Sequence, residues 1–131
     1  MIKPKKSLGQ NFLVDNNIID KIIKLSNIEN SNILEIGPGT GNLTKRILNQ
    51  KPKSLILIEK DQQLANDLKN KFYEEQNFKV YNKDVLKFDI EDKMKMHSIV
   101  IGNLPYNISS QILKKLIKFK KWLPKYKKLI L

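Results

Sequence analysis

The stretch Ile33-Leu-Glu-Ile-Gly-Pro-Gly-Thr-Gly41 decides the fold of this chain. Its apolar start predicts a short buried strand over 33–36, and the five residues 37–41 that follow predict a glycine-rich turn into a helix over 41–49. Glycines in such a turn let the backbone approach a ligand closely and adopt positive φ. The spacing differs from the dinucleotide fingerprint G-x-G-x-x-G, and no Gly-Lys-Ser/Thr follows as in a P-loop.

The rest of the chain repeats this alternation of buried strand and amphipathic helix. Further apolar runs predict strands at 54–59, 78–81, 98–101 and 127–131. Helices are expected after Asp15, after Asp61 and over 109–119, the last with Ile112, Leu113, Leu116 and Ile117 on its core side. Strands that alternate with helices form βαβ units, so we expect an α/β fold with a parallel sheet and helices on both faces.

Composition excludes several classes of protein. The 131 residues include no cysteine and one histidine, His97, which removes disulfides, thiolate metal sites and a cysteine nucleophile. No apolar run approaches the ~20 residues of a membrane helix, and no apolar signal segment follows the basic start. These features favour a soluble, cytoplasmic, metal-free domain, which we expect to be a monomer.

The positive charge is concentrated near the end of the sequence. The formal net charge is +12, and residues 93–131 carry ten lysines and no acidic residue. A segment with one sign of charge is typical of proteins that bind an anionic partner such as nucleic acid. The chain is also rich in lysine, asparagine and isoleucine, as an AT-rich genome would produce, so lysines on a solvated face remain the alternative.

Acidic residues follow two of the predicted strands, at the edge of a parallel sheet where ligands bind. Glu59 ends the second strand and can accept hydrogen bonds from both ribose hydroxyls of a nucleoside. Asp84 follows the third strand and can accept a hydrogen bond from the exocyclic amine of a purine. For each of them a solvated, loop or helix-capping carboxylate is the alternative.

Asn103-Leu-Pro-Tyr106 follows the fourth strand and predicts a site for an aromatic amine. Such an amine is a poor nucleophile because its lone pair is delocalised into the ring. The side-chain oxygen of Asn103 and the carbonyl of Leu104 can accept its two N–H bonds, and Pro105 restricts the turn that aims this carbonyl. Tyr106 can stack on the base. An ordinary Asn-x-Pro turn with a surface tyrosine is the alternative.

These motifs together carry a family resemblance. Glu35–Gly41 resembles the S-adenosyl-L-methionine-binding turn of Rossmann-like class I methyltransferases, and Asn103–Tyr106 resembles the target-amine motif of those that methylate exocyclic amines. With Ser7-Leu-Gly-Gln-Asn-Phe-Leu-Val-Asp15, residues 5 to about 119 are similar to the ribosomal RNA adenine N6-dimethyltransferases, and most similar to the small-subunit type.

The resemblance implies a cofactor, a partner and roles for individual residues. The cofactor is S-adenosyl-L-methionine, and the partner is ribosomal RNA of the immature small subunit, whose adenosines receive two methyl groups without a metal. The cofactor contacts would come from Asn11, Leu13, Gly37, Gly39, Glu59, Asp84 and Asn103. The target adenine would be held by Asn103, Leu104, Pro105 and Tyr106.

The resemblance also implies how the chain is divided. Residues 1–14 would form an N-terminal arm that contributes to the cofactor site, and 15–131 a partial catalytic domain, since the family continues through further strands and a helical C-terminal domain. Two alternatives remain open. In the first, the chain acts on another target, either large-subunit ribosomal RNA, as in macrolide-resistance methyltransferases, or DNA adenine. In the second, the chain is an inactive truncated fragment that binds RNA or the cofactor.

Overall fold

The computed structural model describes residues 16–118 and 125–131. The elements in these ranges are α1 Asn16–Ser26, β1 Asn32–Ile36, α2 Asn42–Asn49, β2 Ser54–Ile58, α3 Gln62–Lys71, β3 Phe78–Tyr81, α4 Ile90–Lys93, β4 Ser98–Ile101, α5 Tyr106–Ile117 and β5 Tyr126–Ile130. No helix within the described ranges is long and apolar enough to cross a membrane. The predicted arm 1–14, with Asn11 and Leu13, lies outside the described residues.

The five strands form one parallel sheet in the order β3-β2-β1-β4-β5. The central strand is β1, where Ile33 lies opposite Leu55 of β2 on one side and Ile99 of β4 on the other. After β3 the chain crosses to the far side of β1, so the strand order changes direction between β1 and β4. The carboxyl ends of strands at such a switch point form the ligand crevice of open α/β sheets. The predicted fold class is confirmed.

Helices cover both faces of this sheet. Alternate residues of β1 enter opposite layers, because successive side chains of a strand point to opposite faces. Ile33 packs with α1, α2 and α3, whereas Leu34 and Ile36 pack with α4 and α5. Both layers are closed by buried aliphatic side chains from the helices, among them Ile19, Leu43, Ile47, Leu68, Ile90, Ile112 and Leu116. The packed core on both faces therefore fixes the positions of the strand ends.

The last helix differs from its prediction in two respects. It begins at Tyr106 rather than 109, because Pro105 is its N-cap residue and the Pro105 carbonyl accepts hydrogen bonds from the N–H groups of Ile108 and Ser109. The prediction that Leu113 and Ile117 face the core is wrong, since they are 41 % and 68 % exposed. The apolar stripe of α5 is narrower than predicted, and only Ile112 and Leu116 are buried on it.

Candidate functional site

Four loops meet at the carboxyl edge of the sheet. The register places Tyr81 of β3 beside Ile58 of β2, Ile58 beside Ile36 of β1, and Glu35 of β1 beside Ile101 of β4. The loops that follow these strands carry, in the same order, Asp84, Glu59, the turn 37–41 and the segment 103–106. The predicted site residues that the structure describes therefore lie along one edge.

Glu59 is anchored by two backbone groups. Its Oε1 accepts a hydrogen bond from the backbone N–H of Gly39 at 3.0 Å, and its Oε2 accepts one from Asp61 N–H at 2.9 Å. Glu59 is only 2 % exposed, and the cap of α3 is Asp61, so Glu59 is neither a solvated nor a helix-capping acid. These two bonds fix the orientation of the carboxylate at the carboxyl edge of the sheet.

Asp84 lies in the turn after β3 with its carboxylate partly open. Oδ1 accepts a hydrogen bond from Leu86 N–H at 3.0 Å, and Oδ2 lies 3.7 Å from Lys60 Nζ. The side chain is 22 % exposed. Asp84 thus stabilises its own turn, as the structural alternative predicted, and also presents an acceptor at the edge that a ligand N–H can reach.

Acceptor groups and an aromatic ring lie together at the start of α5. Asn103 is half-buried, and its side chain makes no hydrogen bond with any residue in the described ranges. The carbonyl of Leu104 accepts one long hydrogen bond, from Ser109 Oγ at 3.5 Å. Tyr106 is the first residue of the helix and is 87 % exposed. This geometry suits a planar ring that brings two N–H donors.

The Leu104 side chain joins the segment 103–106 to the glycine turn. Gly37 has φ +66°, and a Cβ placed on it would lie 2.5 Å from Leu104 Cδ2. A Cβ on Gly102 would lie 3.0 Å from Leu104 Cδ1. The sequence reasoning gave Leu104 only a carbonyl role and missed this contact, because a single sequence does not show that β1 and β4 are neighbours.

Gly37→Ala tests this contact. We expect it to destabilise the chain by about 1–3 kcal/mol, because alanine is strained at positive φ and its methyl group displaces Leu104. In a Leu104→Ala background the same substitution should be less damaging, since only the backbone strain remains. Urea unfolding of the two single variants and the double variant measures this coupling. An equal loss in both backgrounds would show that Leu104 does not press on Gly37.

Glu35 is a buried acid whose role the sequence reasoning did not identify. It is 1 % exposed and faces α2, where Thr44 Oγ1 donates a hydrogen bond to Glu35 Oε1 at 2.6 Å. Burial raises the pKa of Glu35 to about 8; the Thr44 hydrogen bond opposes this shift and the nearby charge of Glu59 adds to it. Its position inside an apolar run was a usable signal, because a central parallel strand is covered on both faces.

Metal ligands do not cluster at this edge. Over 16–118 and 125–131, no three histidine, aspartate or glutamate side chains come close enough to hold a metal ion. The chemistry available there is that of hydrogen-bond acceptors, a glycine-rich backbone and an aromatic ring.

Comparison with known proteins identifies the family of this chain. The family model for ribosomal RNA adenine dimethylase matches residues 1–131. Ribosomal RNA small subunit methyltransferase A of Pelagibacter ubique is 51 % identical over 116 residues, which are 88 % of this chain and 44 % of that protein. The chain therefore spans less than half the length of this relative.

Two solved structures share the fold. The 23S rRNA methyltransferase ErmE superposes with a TM-score of 0.73 at 28 % identity, over 91 % of this chain and 46 % of that chain. A dimethyladenosine transferase from Plasmodium falciparum superposes with a TM-score of 0.70 at 36 % identity, over 84 % of this chain and 39 % of that chain. With the family model matched from end to end, this chain belongs to the ribosomal RNA adenine dimethylase family.

Proposed function

We propose that this chain provides the cofactor and target-amine site of an enzyme that transfers methyl groups from S-adenosyl-L-methionine to the N6 amine of adenosines in small-subunit ribosomal RNA. The observation that carries the proposal is the row of four loops at the carboxyl edge of the sheet. In this row Glu59 and Asp84 would accept hydrogen bonds from the nucleoside of the cofactor. Asn103 and Leu104 would accept them from the amine of the target adenine. Family membership supports the same conclusion.

The described residues fit an adenosyl cofactor. Gly37, Gly39 and Gly41 all have positive φ, a conformation that glycine adopts without strain, so the turn 37–41 would present its backbone to the cofactor. Glu59, held by Gly39, would accept the ribose hydroxyls, and Asp84 would accept the adenine amine. A ribose 2′-phosphate would be repelled by the Glu59 carboxylate. Bound S-adenosyl-L-methionine supplies an electrophilic methyl group.

The segment 103–106 would prepare the target amine. The side-chain oxygen of Asn103 and the Leu104 carbonyl accept its two N–H bonds, while Tyr106 stacks on the adenine. These contacts would aim the amine nitrogen at the methyl group that the cofactor would supply, and the proton that the amine loses would pass to water. Positioning and hydrogen bonding supply the rate enhancement, so the chain needs no strong base. The target base must be unstacked to reach Asn103.

The small subunit is the target that the relatives favour. The curated relative at 51 % identity is named for the small subunit, whereas the structural neighbour named for 23S rRNA is 28 % identical. The partner would be an immature small ribosomal subunit in the cytoplasm. Exposed lysines such as Lys118 and Lys127 would meet RNA phosphates, which makes the affinity fall with salt.

Binding and transfer can be measured separately. We expect calorimetry to detect S-adenosyl-L-methionine binding by the chain, and labelled methyl groups to enter unmethylated small-subunit particles at two per adenosine. Naked large-subunit RNA is the matched substrate control. Transfer to that RNA alone would overturn the target. Failure of the folded chain to bind the cofactor would overturn the site, and binding without transfer to either substrate would favour the binding-only alternative.

A further inference from the structure

Lys115 of α5 reaches across to the loop that follows β3. Its Nζ donates hydrogen bonds to the carbonyl of Val85, at 2.6 Å, and to the carbonyl of Phe88. The side chain is half-buried, and burial lowers the pKa of Lys115, while the charges of Asp89 and Asp84 act in the opposite direction. A lysine in this position differs from the solvated lysines that surround it.

The loop that Lys115 contacts begins with Asp84. Its turn is closed by two N–H bonds, from Leu86 to Asp84 Oδ1 at 3.0 Å and from Lys87 to the Asp84 carbonyl at 2.9 Å. Val85 is buried in the core layer beneath α5, so one side of the loop is packed. Lys115 bonds two further polar groups of the loop, the carbonyl of Val85 within this turn and the carbonyl of Phe88 just after it.

The same helix carries the target-amine segment at its start. Residues 103–106 lead into α5, and Lys115 lies about two and a half turns further along. The helix therefore touches both ends of the proposed site, one through its N-terminus and the other through Lys115. Supporting contacts of this kind hold binding groups within the narrow tolerance that a functional site needs.

We propose that Lys115 is a positioning residue that holds loop 84–88 so that Asp84 faces the cofactor adenine. This inference rests on the proposed function, because it takes the ligand of Asp84 to be the adenine amine. Lys115 itself need not touch the cofactor. Its effect is transmitted through the backbone carbonyls of Val85 and Phe88.

Two measurements on the 131-residue chain test the proposal. Lys115→Met keeps most of the side-chain volume and removes the donors, and Lys114→Met makes the same change at an exposed neighbour. In hydrogen–deuterium exchange without ligand, we expect the amides of Leu86 and Lys87 to exchange faster in Lys115→Met only. For S-adenosyl-L-homocysteine, we expect that variant to bind about ten-fold more weakly.

A second ligand separates positioning from general destabilisation. S-inosyl-L-homocysteine carries an oxygen in place of the adenine amine, so we expect its affinity to change little in Lys115→Met. Lys115→Arg retains N–H donors and should restore most of the preference for the adenosyl ligand. An equal loss for both ligands, or unchanged exchange of the loop amides, would overturn the role of Lys115. If the unsubstituted chain binds neither ligand, the proposed function fails, and the exchange measurement still decides whether Lys115 orders the loop.

Discussion

Asn103→Ala is expected to lower the rate of methyl transfer by about a hundred- to a thousand-fold while largely sparing cofactor affinity. If the segment 103–106 holds the target amine as proposed, Asn103 supplies one of the two acceptors that this amine meets. Without it, one N–H of the amine loses its partner and the nitrogen lone pair is no longer aimed at the methyl group. The initial rate of methyl incorporation into small-subunit particles measures the loss, and calorimetry with S-adenosyl-L-methionine measures the affinity.

The position of Asn103 makes this substitution informative. Its side chain makes no hydrogen bond within the described ranges, so alanine removes no structural bond that the structure shows there. Asn49→Ala, at the exposed end of α2, is the matched control and should retain full transfer. Asn103→Asp keeps an acceptor oxygen and should retain more activity than alanine. If the Asn103→Ala variant still transferred methyl groups at the original rate, groups other than Asn103 would have to accept the hydrogen bonds of the target amine.

The strands of this fold are the part most readily predicted from sequence. The apolar runs at 33–36, 54–59 and 98–101 match β1, β2 and β4 to within one residue, because a buried parallel strand has no polar face to interrupt it. The glycine turn after β1 and the acids after β2 and β3 follow from the same pattern. Their common edge was predictable once the sheet was taken as parallel.

The contacts that connect the loops could not be predicted in the same way. The packing of Leu104 on Gly37 and the hydrogen bond from Gly39 to Glu59 both depend on which strands are neighbours. The strand order β3-β2-β1-β4-β5 is a tertiary property that no local pattern shows. The hydrogen bond from Lys115 to the Val85 carbonyl joins residues that are 30 positions apart, so no local sequence pattern indicates it. For Ile117 the failure is geometric, since four apolar residues on a helix do not fix the centre of its buried stripe.

Glu35 should make the stability of this chain fall as pH rises. The folded chain holds the Glu35 proton up to about pH 8, whereas in the unfolded chain the group has its ordinary pKa of 4.5. Between these values unfolding releases a proton, so the free energy of unfolding decreases as pH rises. At 1.36 kcal/mol for each pH unit between 4.5 and about 8, the full effect is on the order of 5 kcal/mol, complete above about pH 8.

Glu35→Gln isolates this contribution. Glutamine still accepts the Thr44 hydroxyl but does not ionise, so the variant should gain stability over the unsubstituted chain as pH rises from 4.5 to 8. Thr44→Val should move the loss to higher pH, since the Thr44 bond acts to lower the pKa of Glu35. Denaturant midpoints across this range measure both effects, and exposed Glu29→Gln controls for removing a carboxylate. A constant stability difference between Glu35→Gln and the unsubstituted chain would mean that burial does not raise the pKa of Glu35 in the fold, which would contradict this prediction.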